Sequence, residues 1–90
     1  MKRWTQIFKA LANINRIRVI VLLSDGKERT VTEISEIIHI SLRAMSRHLV
    51  LLHNLDVLDN AGKDGHVFYR LNKSVPVDIY NAVSLFLSKK

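Results

Sequence analysis

The stretch from Ser41 to Asn54, reading Ser-Leu-Arg-Ala-Met-Ser-Arg-His-Leu-Val-Leu-Leu-His-Asn, leaves this chain few ways to fold. Met45, Leu49 and Leu52 recur at i, i+4 and i+7, which draws an apolar stripe down one side of a helix. Arg43, Ser46 and Arg47 stand one turn apart on the other side, beside Ala44. No acidic residue occurs between Ile37 and Leu55. The back of such a helix demands a hydrophobic partner. Its front, two arginines with a serine and a small neighbour, suits insertion between two walls of phosphate. A solvated amphipathic core helix is the plainer alternative, and the flanking sequence has to decide.

Ninety residues suffice for one small domain. A chain of this size buries only about 60% of its unfolded surface, so a partner often completes it. A hydrophobic content of 48% is ample for a core. The net charge of +6 points to a polyanionic partner, nucleic acid or an anionic membrane surface, without choosing between them. The absence of cysteine excludes disulfides, thiolate metal sites and cysteine catalysis. Met1-Lys2-Arg3-Trp4 looks like the start of a signal peptide, but Gln6, Lys9, Asn13, Asn15, Arg16 and Arg18 interrupt the apolar core such a peptide needs. No apolar run approaches the roughly 20 residues of a membrane span. A soluble, cytoplasmic protein is the expectation.

Helical spacing of Trp4, Ile7, Phe8 and Leu11 predicts a first helix over residues 3–12. Asn13 and Asn15 are good N-caps for a second helix through Ser24, with Ile17, Ile20, Val21 and Leu22 or Leu23 inward. Ser24-Asp25-Gly26 is a stop signal. Residues 27–31 suit a brief strand. Thr30 and Glu33 fit a capping box, with Thr32 the competing cap, for a short third helix to about Ile38 that buries Ile34, Ile37 and Ile38. His39-Ile40 makes a tight turn, and Ser41 caps the basic helix.

Beyond Leu55 the period falls from 3.6 to 2. Residues 57–60 and 66–71 read as strands joined by a loop over 61–65, where Asp64-Gly65 permits positive φ. Val67, Tyr69 and Leu71 share the predicted core side, and His66, Phe68 and Arg70 the other. Pro76 opens a last helix over 76–88 that carries Ile79, Tyr80, Val83, Phe86 and Leu87.

That order of elements is the order of a winged helix-turn-helix domain: mainly α, about five helices with a two-stranded hairpin wing, one domain over residues 1–90. In its residues the chain resembles the ArsR/SmtB family of bacterial and archaeal repressors over about 8–71. The likeness rests on Leu11–Ile20 with Arg16, on Ser46-Arg47-His48-Leu49, and on His66–Leu71. It implies a dimeric repressor on double-stranded DNA with a pseudo-palindromic operator. It also implies that the first and last helices pair across the two-fold axis through Trp4, Ile7, Phe8, Ile79, Val83, Phe86 and Leu87. Burial of both helices within one chain is the alternative. Where many members carry a Cys-Val-Cys metal run, this chain has Thr30, Val31 and Thr32, and its last helix offers Asp78 alone. Asp56 and His39 stand where the family usually has glycine, and Ile14 where proline is common.

The candidate DNA-contacting residues are Ser41, Arg43, Ala44, Ser46, Arg47 and His48 on the basic helix, with Lys63 and Arg70 on the wing. Arginine can bond guanine O6 and N7 together, whereas a wing-tip lysine is suited to phosphate. Against this, the arginines can touch only phosphate or solvent, and His48 can be a satisfied histidine at the core edge. Arg16 and Arg18 suit either phosphate or a structural ion pair. His39, His48, His53 and His66 do not converge at ligand spacing, so no metal, no cofactor and no catalytic residue is assigned. The effector, if one exists, is not legible. Two rival functions stand beside a regulator: a winged-helix protein-interaction module, and nonspecific, chromatin-like DNA binding.

Overall fold

The computed structural model describes residues 2–73, four α-helices and a small sheet. The proposed helix over 76–88 lies outside the described residues. Helix α1 spans Lys2–Leu11 and α2 spans Ile14–Leu22, continued by a 3-10 turn over Leu23–Asp25. Of the two candidate caps, Asn13 wins: its side chain accepts from the backbone N–H groups of Asn15 and Arg16. Gly26, at φ 80°, closes the turn in the left-handed conformation that glycine adopts at no steric cost.

Strand β1 (Arg29–Thr30) leads directly into α3 (Val31–Ile38). The capping box forms in full, with Glu33 N–H donating to Thr30 Oγ1 and Thr30 N–H donating to the Glu33 carboxylate. Hydrogen bonding by Thr30 to the carboxylate, led by its backbone N–H, holds the Glu33 carboxyl below the usual carboxylate range. Helix α3 buries Ile34, Ser35 and Ile38. Ile37 is therefore a correction: it is 51% exposed. The inward stripe runs 31, 34, 35, 38, so a serine occupies the place expected of Ile37. Its hydroxyl is satisfied by the Thr32 carbonyl at 2.8 Å. The same one-step error affects α2, where Val19 and Ile20 are buried and Val21 faces out.

His39 (φ 64°) ends α3 in the left-handed region and turns the chain into α4 (Leu42–Asn54). Asp56 (φ 61°) does the same after α4. Both occupy positions where the resemblance led one to expect glycine. Met45, Leu49 and Leu52 on α4 have no exposed surface, and they meet Val19, Ile20, Leu23, Ile34 and Leu58 in the core. The stripe read from sequence is the keystone of the packing.

Strands β2 (Leu58–Lys63) and β3 (His66–Leu71) pair antiparallel from Leu58↔Leu71 to Lys63↔His66. The loop expected over 61–65 shrinks to Asp64-Gly65, both at positive φ, as a two-residue type I′ turn requires. Strand β1 adds to the free side of β3, giving the order β1-β3-β2. The hairpin is thus part of a three-stranded sheet rather than a two-stranded one. Tyr69 is buried, but Val67 is 45% exposed. Val67 pairs with Gly62 near the hairpin tip, where the sheet has run past the core it was expected to cover.

Candidate nucleic-acid interface

The α3–turn–α4 unit presents the outer face of α4. Ser41 caps the helix, its hydroxyl accepting from Ala44 N–H at 3.1 Å. Arg43 and Arg47 are exposed, with Ala44 and Ser46 half-buried between them. Neither arginine has a hydrogen bond or ion pair among the described residues, while the opposite face is locked in the core. Among the described residues both guanidinium groups are unpaired, on a helix whose back is packed.

His48 stands apart from this set. Its Nδ1 accepts from Arg16 Nε at 3.1 Å, and Arg16 Nη1 reaches the Ala10 carbonyl at 3.3 Å. Burial and, second, the Arg16 charge push the His48 pKa below its ordinary value. Among the described residues Arg16 therefore makes structural hydrogen bonds to neutral groups, not the ion pair considered from sequence. Arg18 is exposed.

On the wing, Lys63 pairs with Glu28 and lies 5.7 Å from the centroid of the Phe68 ring. Arg70 Nε lies 4.0 Å from Asp59, whose other oxygen accepts from the Asn72 amide at 2.8 Å. Both wing cations expected at phosphate thus have acidic neighbours. Glu28 is the residue that sequence reasoning missed; a lone acid before a two-residue strand carries no local signal. Nearby, Arg29 grips Asp25 at 2.9 Å and, through that hydrogen bond, lowers the carboxyl to about 2.

Of the residues assigned to a dimer seam, Ile7 is 3% exposed within its own chain and Phe8 is 64% exposed. The Trp4 side chain and Ile79, Val83, Phe86 and Leu87 lie outside what is described. Among the described residues no group of three or more His, Cys, Asp or Glu side chains could hold a metal ion, and no helix is long and apolar enough to cross a membrane.

Comparison with known proteins agrees with this geometry. The sequence model of the family described as "Bacterial regulatory protein, arsR family" matches residues 13–60. The chain is 31% identical over 83 residues to the transcriptional repressor SdpR of Bacillus subtilis, covering 92% of this chain and 91% of that one. It is 34% identical over 70 residues to the arsenic resistance transcriptional regulator ArsR1 of Pseudomonas putida, covering 78% of this chain but only 55% of that longer protein. Among solved structures, a homodimeric winged helix-turn-helix DNA-binding domain from Mycobacterium bovis superposes with a TM-score of 0.77 at 23% identity, covering 97% of this chain and 77% of that one. The fold and the sequence agree: this chain belongs to the arsR family of bacterial regulatory proteins, as a winged helix-turn-helix transcriptional regulator and not an enzyme.

Proposed function

We propose that the protein is a homodimeric repressor that recognises a specific, pseudo-palindromic operator on double-stranded DNA and does not respond to metal. The observation that carries this reading is the exposure of Arg43 and Arg47 on α4, unpaired among the described residues, against a back face fixed by Met45, Leu49 and Leu52. A net charge of +6 supports a polyanionic partner, and SdpR, the relative of similar length, is itself a transcriptional repressor. A two-fold dimer would set two α4 helices about 34 Å apart, matching successive major grooves on one face of the duplex. Insensitivity to metal is supported by Thr30 and Thr32 at the start of α3, which offer only neutral hydroxyls where thiolates would be needed.

Selection of bound duplexes from random DNA, followed by salt titrations on selected and random sequences, tests the reading. The expected outcome is a two-fold-symmetric motif bound at least about 10³-fold more tightly than random duplex. Binding without enrichment would favour a nonspecific, chromatin-like role. No duplex binding at all would favour a protein-interaction module.

A further inference from the structure

We propose that the groove between α1, α2 and α4 is a binding site for an organic carboxylate carrying an apolar body. The groove encloses about 400 Å³, within the ordinary size range of small-molecule sites. Ala10, Leu51 and Leu55 give it an apolar lining, and Lys9 and Arg16 bring two cations to it without any acid. Arg16 is half-buried, yet its partners, His48 Nδ1 and the Ala10 carbonyl, are both neutral. A guanidinium has five N–H donors, so most of its hydrogen-bonding capacity and all of its charge are left uncompensated among the described residues. Partial burial of a cation without a counter-charge is costly, and a carboxylate accepting two parallel N–H bonds is the group that guanidinium geometry fits best. Lys9, exposed on α1 and without a described partner, supplies a second charge on the same side.

The apolar component distinguishes this site from a simple phosphate clamp. Leu51 and Asn54 also line a separate hollow on α4, together with Val50, Ser46 and Arg47. A duplex phosphate would use Lys9 and Arg16 and leave Leu51 and Leu55 bare; an amphipathic anion uses both. Engaging a carboxylate draws on the guanidinium that holds His48, so occupancy is felt on α4. Any consequence of this for DNA rests on the DNA-binding reading above, but the binding itself does not.

The test is calorimetry and ¹H–¹⁵N NMR on the full chain without DNA, using decanoate below its micellar range, decanol and inorganic phosphate. The expected result is saturable decanoate binding that shifts the Ala10 and Leu51 amides and the His48 imidazole nitrogens. Decanol and phosphate should bind at least about tenfold more weakly, and Lys9→Gln or Arg16→Gln should each weaken decanoate by about tenfold. Arg18→Gln, on α2 but outside the groove, should leave it unchanged. Because Lys9 is exposed, its substitution reads the site without endangering the fold. Decanol binding as tightly as decanoate, phosphate binding as tightly, or indifference to Lys9→Gln would overturn the proposal. So would an absence of saturable decanoate shifts combined with equal loss of affinity for every duplex in both variants, which would make Lys9 and Arg16 phosphate clamps.

Discussion

Arg16, in the first turn of α2, donates from Nε to Nδ1 of His48 on α4 at 3.1 Å. Arginine only donates, so neutral His48 accepts there and carries its own proton on Nε2. Through Nη1 the same guanidinium reaches the carbonyl of Ala10 on α1. One side chain joins three helices, and its weakest point is a titratable ring.

Acidification should break that join. His48 has its pKa lowered from 6.5, first by burial and then by Arg16, so the unfolded chain takes up this proton before the folded one. The associated stability is intact above about pH 6.5 and falls as pH descends through the lowered folded value. Denaturant midpoints followed across that window should drop for the wild type, and drop less for His48→Gln, whose amide oxygen still accepts from Arg16. An NMR titration that places the His48 midpoint at or above 6.5 would contradict this.

Arg47→Ala should relax base preference at one position in each half-site, at a cost of about 1–3 kcal/mol on the selected operator if the contact is bidentate. Competition binding on single-base operator variants measures it. Equal loss on every duplex would instead make Arg47 a phosphate contact.

The Glu28–Lys63 pair should temper the wing. Glu28→Gln frees the lysine, so it should tighten binding to all duplexes alike and steepen the salt dependence by about one phosphate contact. Adding Lys63→Ala to Glu28→Gln should remove that gain. Salt titrations of both variants decide the matter, and an unchanged slope in Glu28→Gln would exclude the wing tip from the backbone.

His39→Gly should stabilise the fold modestly. A left-handed backbone costs a non-glycine residue roughly 1–2 kcal/mol, and glycine's greater freedom in the unfolded chain returns about 0.4–1 kcal/mol of that. A net gain of about 0.5–1 kcal/mol is expected in equilibrium denaturation. A loss would show that the His39 side chain contributes more than its conformation costs.

Zinc, cadmium, arsenite and nickel at micromolar free concentration should leave operator affinity unchanged within about twofold. A metal switches a regulator only as far as its affinities for two conformations differ. The Thr30 and Thr32 hydroxyls cannot hold such ions tightly enough for that difference to matter. Binding curves with and without each metal measure this. A tenfold loss abolished by replacing one of His39, His48, His53 or His66 would reveal a histidine site.

Local grammar was legible in the sequence, and long-range pairing was not. The Thr30–Glu33 capping box, the Ser41 cap and the Met45–Leu49–Leu52 stripe each depend on residues within two helical turns. Ile37 and Val21 misled because hydrophobicity alone does not reveal which of two neighbouring stripes the core will take. On α3 the core chose the stripe containing Ser35. Lys63 and Arg70 were legible as exposed cations, but Glu28 meets Lys63 only once β1 has docked on β3. In the sequence, Arg16 and His48 each admit a structural and a DNA-contacting role. Their joining is a consequence of how α2 lies against α4, which no spacing encodes.

Thr30 has two allegiances. As the last residue of β1 it pairs with Phe68 in the wing, and as the cap of α3 it closes the first turn of the helix-turn-helix. With no spacer between strand and helix, there is no hinge where the wing could swing independently of the helices. If α4 and the wing engage DNA as proposed, they act as the jaws of a caliper soldered at one opening. A duplex they engage together must already present groove and backbone at that separation, or bend until it does. Sequence-dependent groove width then becomes a quantity the protein can gauge, even at base pairs that no side chain touches.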